Sequence, residues 1–130
     1  MSNRLEHWEH HLQDYLDSIN SFEWGKTDCC MFSVGAVKAI TGIDHGVDYQ
    51  YHTEAGAAKV LLRHGGVEEI ATKHLGASKL PSLARRGDII SFESGNGMAL
   101  GVCIGVKIVA MQESGLTYFS MSKAIKAWSV

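Results

Sequence analysis

The stretch FEWGKTDCCMFSVGAVKAITG, Phe22 to Gly42, decides the reading of this chain. From Asp28 onward it is apolar nearly all round (Cys29, Met31, Phe32, Val34, Ala36, Val37, Ala39, Ile40), and a helix of that kind usually sits at the centre of its domain. The pattern predicts the helix over about Asp28 to Thr41, with Asp28 or Thr27 as N-cap and Gly42 as terminator. Cys29 then stands among backbone N–H groups without intrahelical partners, at the dipole end that favours a thiolate. Cysteine nucleophiles are often activated in this way. Gly35 lets another element approach closely, at a modest cost in helix propensity.

Upstream, Leu5, Trp8, Leu12, Tyr15, Leu16 and Ile19 recur at helical spacing and predict an amphipathic helix from about residue 4 to 19. Phe22 to Lys26 reads as a connecting turn with two aromatic anchors, Phe22 and Trp24. Downstream, a loop with Asp44, Gly46 and Asp48 carries Tyr49 and Tyr51. Thr53 caps a third helix, which Gly65-Gly66 closes, and a fourth runs from about Val67 to Leu75 and ends at Gly76. Pro81 lies in the linker that follows. The period then changes. Arg85 to Phe92 reads as a turn into a strand, and Ala99 to Gly105 and Lys107 to Met111 as strands joined around Gly105-Val106. Gly115 to Phe119 makes a fourth strand and Ile125 to Val130 a terminal one. Helices first and consecutive strands after give an α+β domain with an antiparallel sheet. It is expected to be one domain over 1–130, helical to about 80 and sheet from about 85.

Composition narrows the class. The chain has 130 residues, 45% hydrophobic and 20% charged, as an ordinary globular protein does. A formal net charge of −2 gives no electrostatic reason to expect nucleic acid as partner, and Arg85-Arg86 is too short a basic patch for it. No apolar run is long enough to span a bilayer, so no membrane insertion is expected. The acidic, amphipathic start MSNRLEHWEHHLQDY reads as neither signal nor transit peptide, and a whole chain made in the cytoplasm is the expectation. Cys29, Cys30 and Cys103 are an odd set without a CxxC pair. They read as free thiols, with neither a disulfide framework nor zinc. The seven histidines have no metal-ligand spacing, and no cofactor is expected.

A cysteine at a helix start followed by an antiparallel sheet is the order of the papain-like fold. Asp28-Cys29 resembles the nucleophile motif of the NlpC-type cysteine peptidases and amidases, which cut peptidoglycan peptides. Arg85 to Phe92, RRGDIISF, resembles the GD-hydrophobic first strand of that superfamily. Small tail-associated proteins of tailed phages within the superfamily are a closer match. The similarity to them rests on W-G-x-x-D-C at Trp24 to Cys29, A-x-T-G at Ala39 to Gly42 and R-G-D at Arg86 to Asp88. L-G-V-C-I-G at Leu100 to Gly105 and A-W-x-V at Ala127 to Val130 complete the set, which spans most of the chain. The resemblance implies a virion protein of the tail or tail tip, made in the host cytoplasm, with other tail proteins as partners.

The resemblance breaks at the general base. Active NlpC-type enzymes carry His at the start of a strand similar to H-V-G-I-Y-L-G, and Ala99 stands at that place here. Alanine cannot take a proton, and acid–base assistance worth roughly 10²–10⁴-fold would be lost. Of the other histidines, His45 and His52 flank the tyrosine-bearing loop and are the two candidates to reach Cys29. His7, His10 and His11 read as solvated, and His64 and His74 as last-turn residues favoured by the helix dipole. Cys30 and Cys103 read as small core residues, and Cys29 is either a nucleophile or a third one. Trp128 closes the sheet and Asp88 caps a turn. The first expectation is therefore a non-enzymatic tail or tail-tip assembly protein on a degenerate NlpC-like fold. The alternative is an active cysteine peptidase acting on host peptidoglycan through Cys29. A thiol-binding or redox role for Cys29-Cys30 ranks last, because vicinal disulfides are strained.

Overall fold

The computed structural model describes residues 3–130. Among the described residues four α-helices come first: α1 (Trp8–Ser18), α2 (Cys29–Thr41), α3 (Glu54–His64) and α4 (Val67–Leu75). Five strands follow: β1 (Ile89–Glu93), β2 (Met98–Cys103), β3 (Lys107–Gln112), β4 (Gly115–Ser120) and β5 (Ala124–Trp128). All pairings are antiparallel, in the order β4-β3-β2-β1-β5. The α+β class and the helices-then-strands order are as expected.

Caps fix most of the helix ends. Asp28 caps α2 by accepting from the N–H groups of Cys30 and Met31, and Gly42 closes it at φ 81°. Thr53 caps α3 through Gly56 N–H, and α4 stops at Gly76 as predicted. Gly35 is used as a contact point: a Cβ there would lie 2.2 Å from the Tyr15 hydroxyl oxygen. That hydroxyl crosses the α1–α2 interface and donates to Phe32 O at 2.8 Å.

Several details differ from the sequence expectation, among them β2, which runs Met98–Cys103 rather than to Gly105. α1 begins at Trp8 rather than near residue 4, because the segment before it is held by distant groups. Leu5 N–H donates to Ile40 O at 2.7 Å, and the Arg4 guanidinium lies 4.2 Å from the Trp8 ring centre. The loop after α2 contains a 3-10 turn, His45–Asp48, started by Asp44 accepting from Gly46 N–H. β5 starts at Ala124 and ends at Trp128, so the last two residues lie beyond the strand.

The sheet is buried on both faces. Ile89, Leu100, Val102, Val109, Met111 and Trp128 pack with Leu12, Phe32, Val37 and Ile40 of the helices. Their neighbours along each strand, Ile90, Phe92, Ala99, Cys103, Ile108, Ala110 and Ala127, form a second cluster on the opposite face. This is strand alternation with both sides apolar, which is why the strands read as unbroken hydrophobic runs. Trp128 is fully buried and its indole N–H donates to Thr72 Oγ1 at 3.1 Å, fastening β5 to α4.

Asp88, fully buried, ties the chain ends together. Oδ1 accepts from Arg4 Nη2 at 3.0 Å and from Val130 N–H at 3.1 Å. Oδ2 accepts from Lys79 Nζ and Arg85 N–H, each at 2.8 Å. The expected turn cap is present in the Arg85 bond, and three longer-range bonds join it. Removing the carboxylate leaves two cations and two N–H groups without their acceptor. Asp88→Ala is therefore expected to lose about 3–5 kcal/mol in urea denaturation. A loss under about 1 kcal/mol would contradict the role of Asp88 as the tie.

Candidate active site

Asp28 organises the surroundings of Cys29. The loop before α2 doubles back so that Gly25 N–H donates to Asp28 Oδ2 at 2.7 Å. Gly25 has φ 84°, and a Cβ on it would lie 1.9 Å from Tyr51 O, so only glycine fits this turn. Oδ1 accepts from Cys30 N–H and Met31 N–H, both at 3.1 Å. The Tyr51 hydroxyl, brought over from the loop before α3, donates to the carboxylate at 2.8 and 2.7 Å from its two oxygens. Four donors thus surround one carboxylate that is 1% exposed. Burial and the Asp28 charge both push the Tyr51 hydroxyl up, so it stays a donor.

The electrostatic result for Cys29 is the reverse of activation. Its thiol is pushed up to about 11, first by burial and then by the neighbouring Asp28 charge. Backbone N–H groups at the helix start pull the other way and lose. The reason is competition: the N-cap carboxylate already holds the first-turn donors that would otherwise stabilise a thiolate. Cys30 is pushed still higher, to about 12, by burial and then by Cys29 and Asp28.

A cavity of about 30 Å³ adjoins Cys29, walled by Trp24, Tyr49, Tyr51, Val60, Leu61 and Ile70. That is room for a water or two, not for a peptide. No histidine lines it. His45, one of the two predicted candidates, is half-buried with its ring 4.8 Å from that of His74, and both line a second small cavity beside Cys30. The other, His52, is exposed next to Gly25. The structure brings neither to the wall of the Cys29 cavity.

Ala99 belongs to the cluster on the sheet face turned away from α2. Alternation along β2 puts Met98 and Leu100 on the helix side, and Leu100 lines the Cys30 cavity. None of the three can take a proton. Cys103 is buried in the second cluster, as its reading as a core residue implies. Phe22 and Trp24 meet edge to face with ring centres 4.7 Å apart.

Sequence reasoning missed two features. Tyr51 as the fourth donor to Asp28 is one. The other is a knot of rings around Tyr49, whose hydroxyl meets His74 Nε2 at 2.5 Å and whose ring lies 5.2 Å from that of His64. His64 and His74 do occupy last turns, as expected, and face a common tyrosine there. A wider groove of about 640 Å³ runs between α1 and α2, floored by Met31, Val34 and Gly35, and Cys29 is not part of it. Among the described residues no cluster of histidine, cysteine and carboxylate groups could hold a metal ion. No described helix is long and apolar enough to cross a membrane.

The family described as "Domain of unknown function (DUF6950)" matches residues 3–130, and the chain belongs to it. No curated protein matches the sequence.

The raised thiol has a consequence for stability. In the unfolded chain Cys29 ionises near its ordinary value of 9.0, and in the folded chain near about 11. Between those values the unfolded state has lost a proton that the folded state keeps. Stability is therefore fully present below about pH 9 and falls as pH rises toward 11, by up to about 1.4 kcal/mol per pH unit for this group. Denaturation of wild type and Cys29→Ser across that window is expected to show a shallower decline in the variant. Equal slopes would contradict the raised ionisation of this partly buried thiol.

Proposed function

We propose that this member of the DUF6950 family is a bacteriophage tail or tail-tip assembly protein, built on a papain-like NlpC-type domain whose cysteine site does no chemistry. The observation that carries the non-enzymatic reading is Cys29 itself. Its thiol is held neutral up to about pH 11 beside a saturated carboxylate, in a cavity without a histidine. A cysteine hydrolase needs a thiolate, a base within hydrogen-bonding reach and space for an amide. The site lacks each of these.

The tail context rests on the motif resemblance across Trp24 to Cys29, Ala39 to Gly42, Arg86 to Asp88, Leu100 to Gly105 and Ala127 to Val130. Several of these residues have structural work that an assembly domain would retain. Gly25 and Asp28 build the turn into α2, Gly42 ends it, Asp88 ties the termini, and Trp128 fastens the last strand. On this reading the partners are other tail proteins and the protein resides in the virion.

Zymography on peptidoglycan tests the reading. Wild type and Cys29→Ser are expected to leave identical uncleared lanes, and phage carrying Cys29→Ala to assemble and infect normally. Clearing by wild type that Cys29→Ser abolishes would overturn it.

A further inference from the structure

The two edges of the sheet are treated differently. β5 is guarded: Lys79 forms a bridge with Ala127, N–H to O at 2.7 Å and back at 3.0 Å. Among the described residues β4 pairs only with β3, through six consecutive residues from Gly115 to Ser120 in unbroken register. Natural sheets protect an open edge with charge, proline or a bulge. The β4 sequence GLTYFS has no charged residue and no proline, and its pairing shows no bulge. Tyr118, near its middle, is 54% exposed.

The register of β4 shows what this edge presents. Met121 N–H donates to Val106 O at 3.2 Å, just beyond the Lys107–Ser120 pair. Alternation of an antiparallel ladder from that bond turns Phe119, Thr117 and Gly115 toward β3. It leaves Leu116 and Tyr118 with their N–H and C=O groups pointing away from the sheet, together with the N–H of Ser120, whose C=O starts the 3-10 turn Met121–Lys123.

We propose that this edge is a self-pairing surface: two copies of the chain join β4 to β4, antiparallel about a two-fold axis at Tyr118. A two-fold normal to the sheet must pass through a residue, so that facing side chains share a face. Centred on Tyr118, it sets Tyr118 against its counterpart and Leu116 against Ser120 of the partner. The outward N–H and C=O groups of Leu116 and Tyr118 and the outward N–H of Ser120 are then all used. An uncharged strand suits this arrangement, since a two-fold sets each central side chain against its own kind and like charges there would repel.

The ends of the strand are complementary as well. Glu113 is exposed just before β4 and Lys123 is exposed just after it. The Tyr118-centred register carries Glu113 of each copy toward Lys123 of the other. A parallel or heterologous addition of the same strand gains no such match. The contact extends one sheet across two copies, and its small area places it among weak, concentration-dependent associations. It depends on the edge alone and stands or falls separately from the tail assignment and from any result with peptidoglycan.

Sedimentation velocity over a concentration series tests the proposal with wild type, Tyr118→Lys and Tyr118→Glu, singly and as a one-to-one mixture of the two variants. Thermal melts check that the exposed substitutions leave the fold intact. Wild type is expected to dimerise reversibly. Each variant alone is expected to be at least roughly tenfold weaker, because it places like charges face to face. The mixture is expected to regain dimers through the Lys–Glu pair. A monomeric wild type at every concentration would overturn the proposal. So would variants that dimerise as well as wild type, or a mixture no more associated than its components.

Discussion

The Asp28 carboxylate is the constraint on which the helical half depends. One buried side chain starts α2, closes the turn at Gly25 and anchors the loop of Tyr51. An N-cap of this type contributes about 1 kcal/mol to its helix. Here the larger effect is positional. The four donors that surround Asp28 fix the approach of two chain segments, the Gly25 turn and the Tyr51 loop, to the first turn of α2. They also determine the chemistry of the next residue. Burial disfavours a thiolate first, the Asp28 charge adds to it, and the first-turn N–H groups, partly engaged by the carboxylate, do not compensate. The feature that makes Cys29 look like a nucleophile in sequence, an aspartate before a cysteine at a helix start, is part of what keeps it protonated.

Asp88 plays the matching part for the sheet. It sits fully buried immediately before β1 and gathers residue 4, residue 79, the Arg85 turn and residue 130. The two aspartates fix the same boundary from its two sides. Asp28 sets the helix that lies over β2 and β3, and Asp88 sets where the strands begin and where the chain's last residue returns. Between them they leave the apolar layer from Leu12 to Val130 to supply most of the stabilisation.

What was legible in the sequence was local chemistry. Asp28, Thr53, Gly42 and Gly76 mark helix ends through groups within a few residues of one another, so α2, α3 and α4 could be read directly. The start of α1 could not, because it is set by Leu5 reaching Ile40 and by Arg4 reaching the far terminus. Tyr51 and Asp28 are likewise partners across 23 residues, with nothing in the intervening sequence to signal it. The strands were visible as apolar runs, yet the runs could not say which face each residue takes, since both faces are buried. The motif resemblance sets Ala99 at a catalytic position, and the structure puts it on the face opposite α2. His45 is a sequence candidate to reach Cys29, and the structure sets it instead against His74 in the cavity beside Cys30.

The central feature of the site is a Cys29 thiol that is partly buried and unactivated. The most direct measurement is its alkylation rate against pH, in a chain with Cys30 and Cys103 replaced by serine. The predicted result is slow reaction at neutral pH and a midpoint near about 11. A midpoint below the roughly 8.5 of a free thiol would contradict the account, because it would require a stabilised thiolate where the structure places a saturated aspartate and no base.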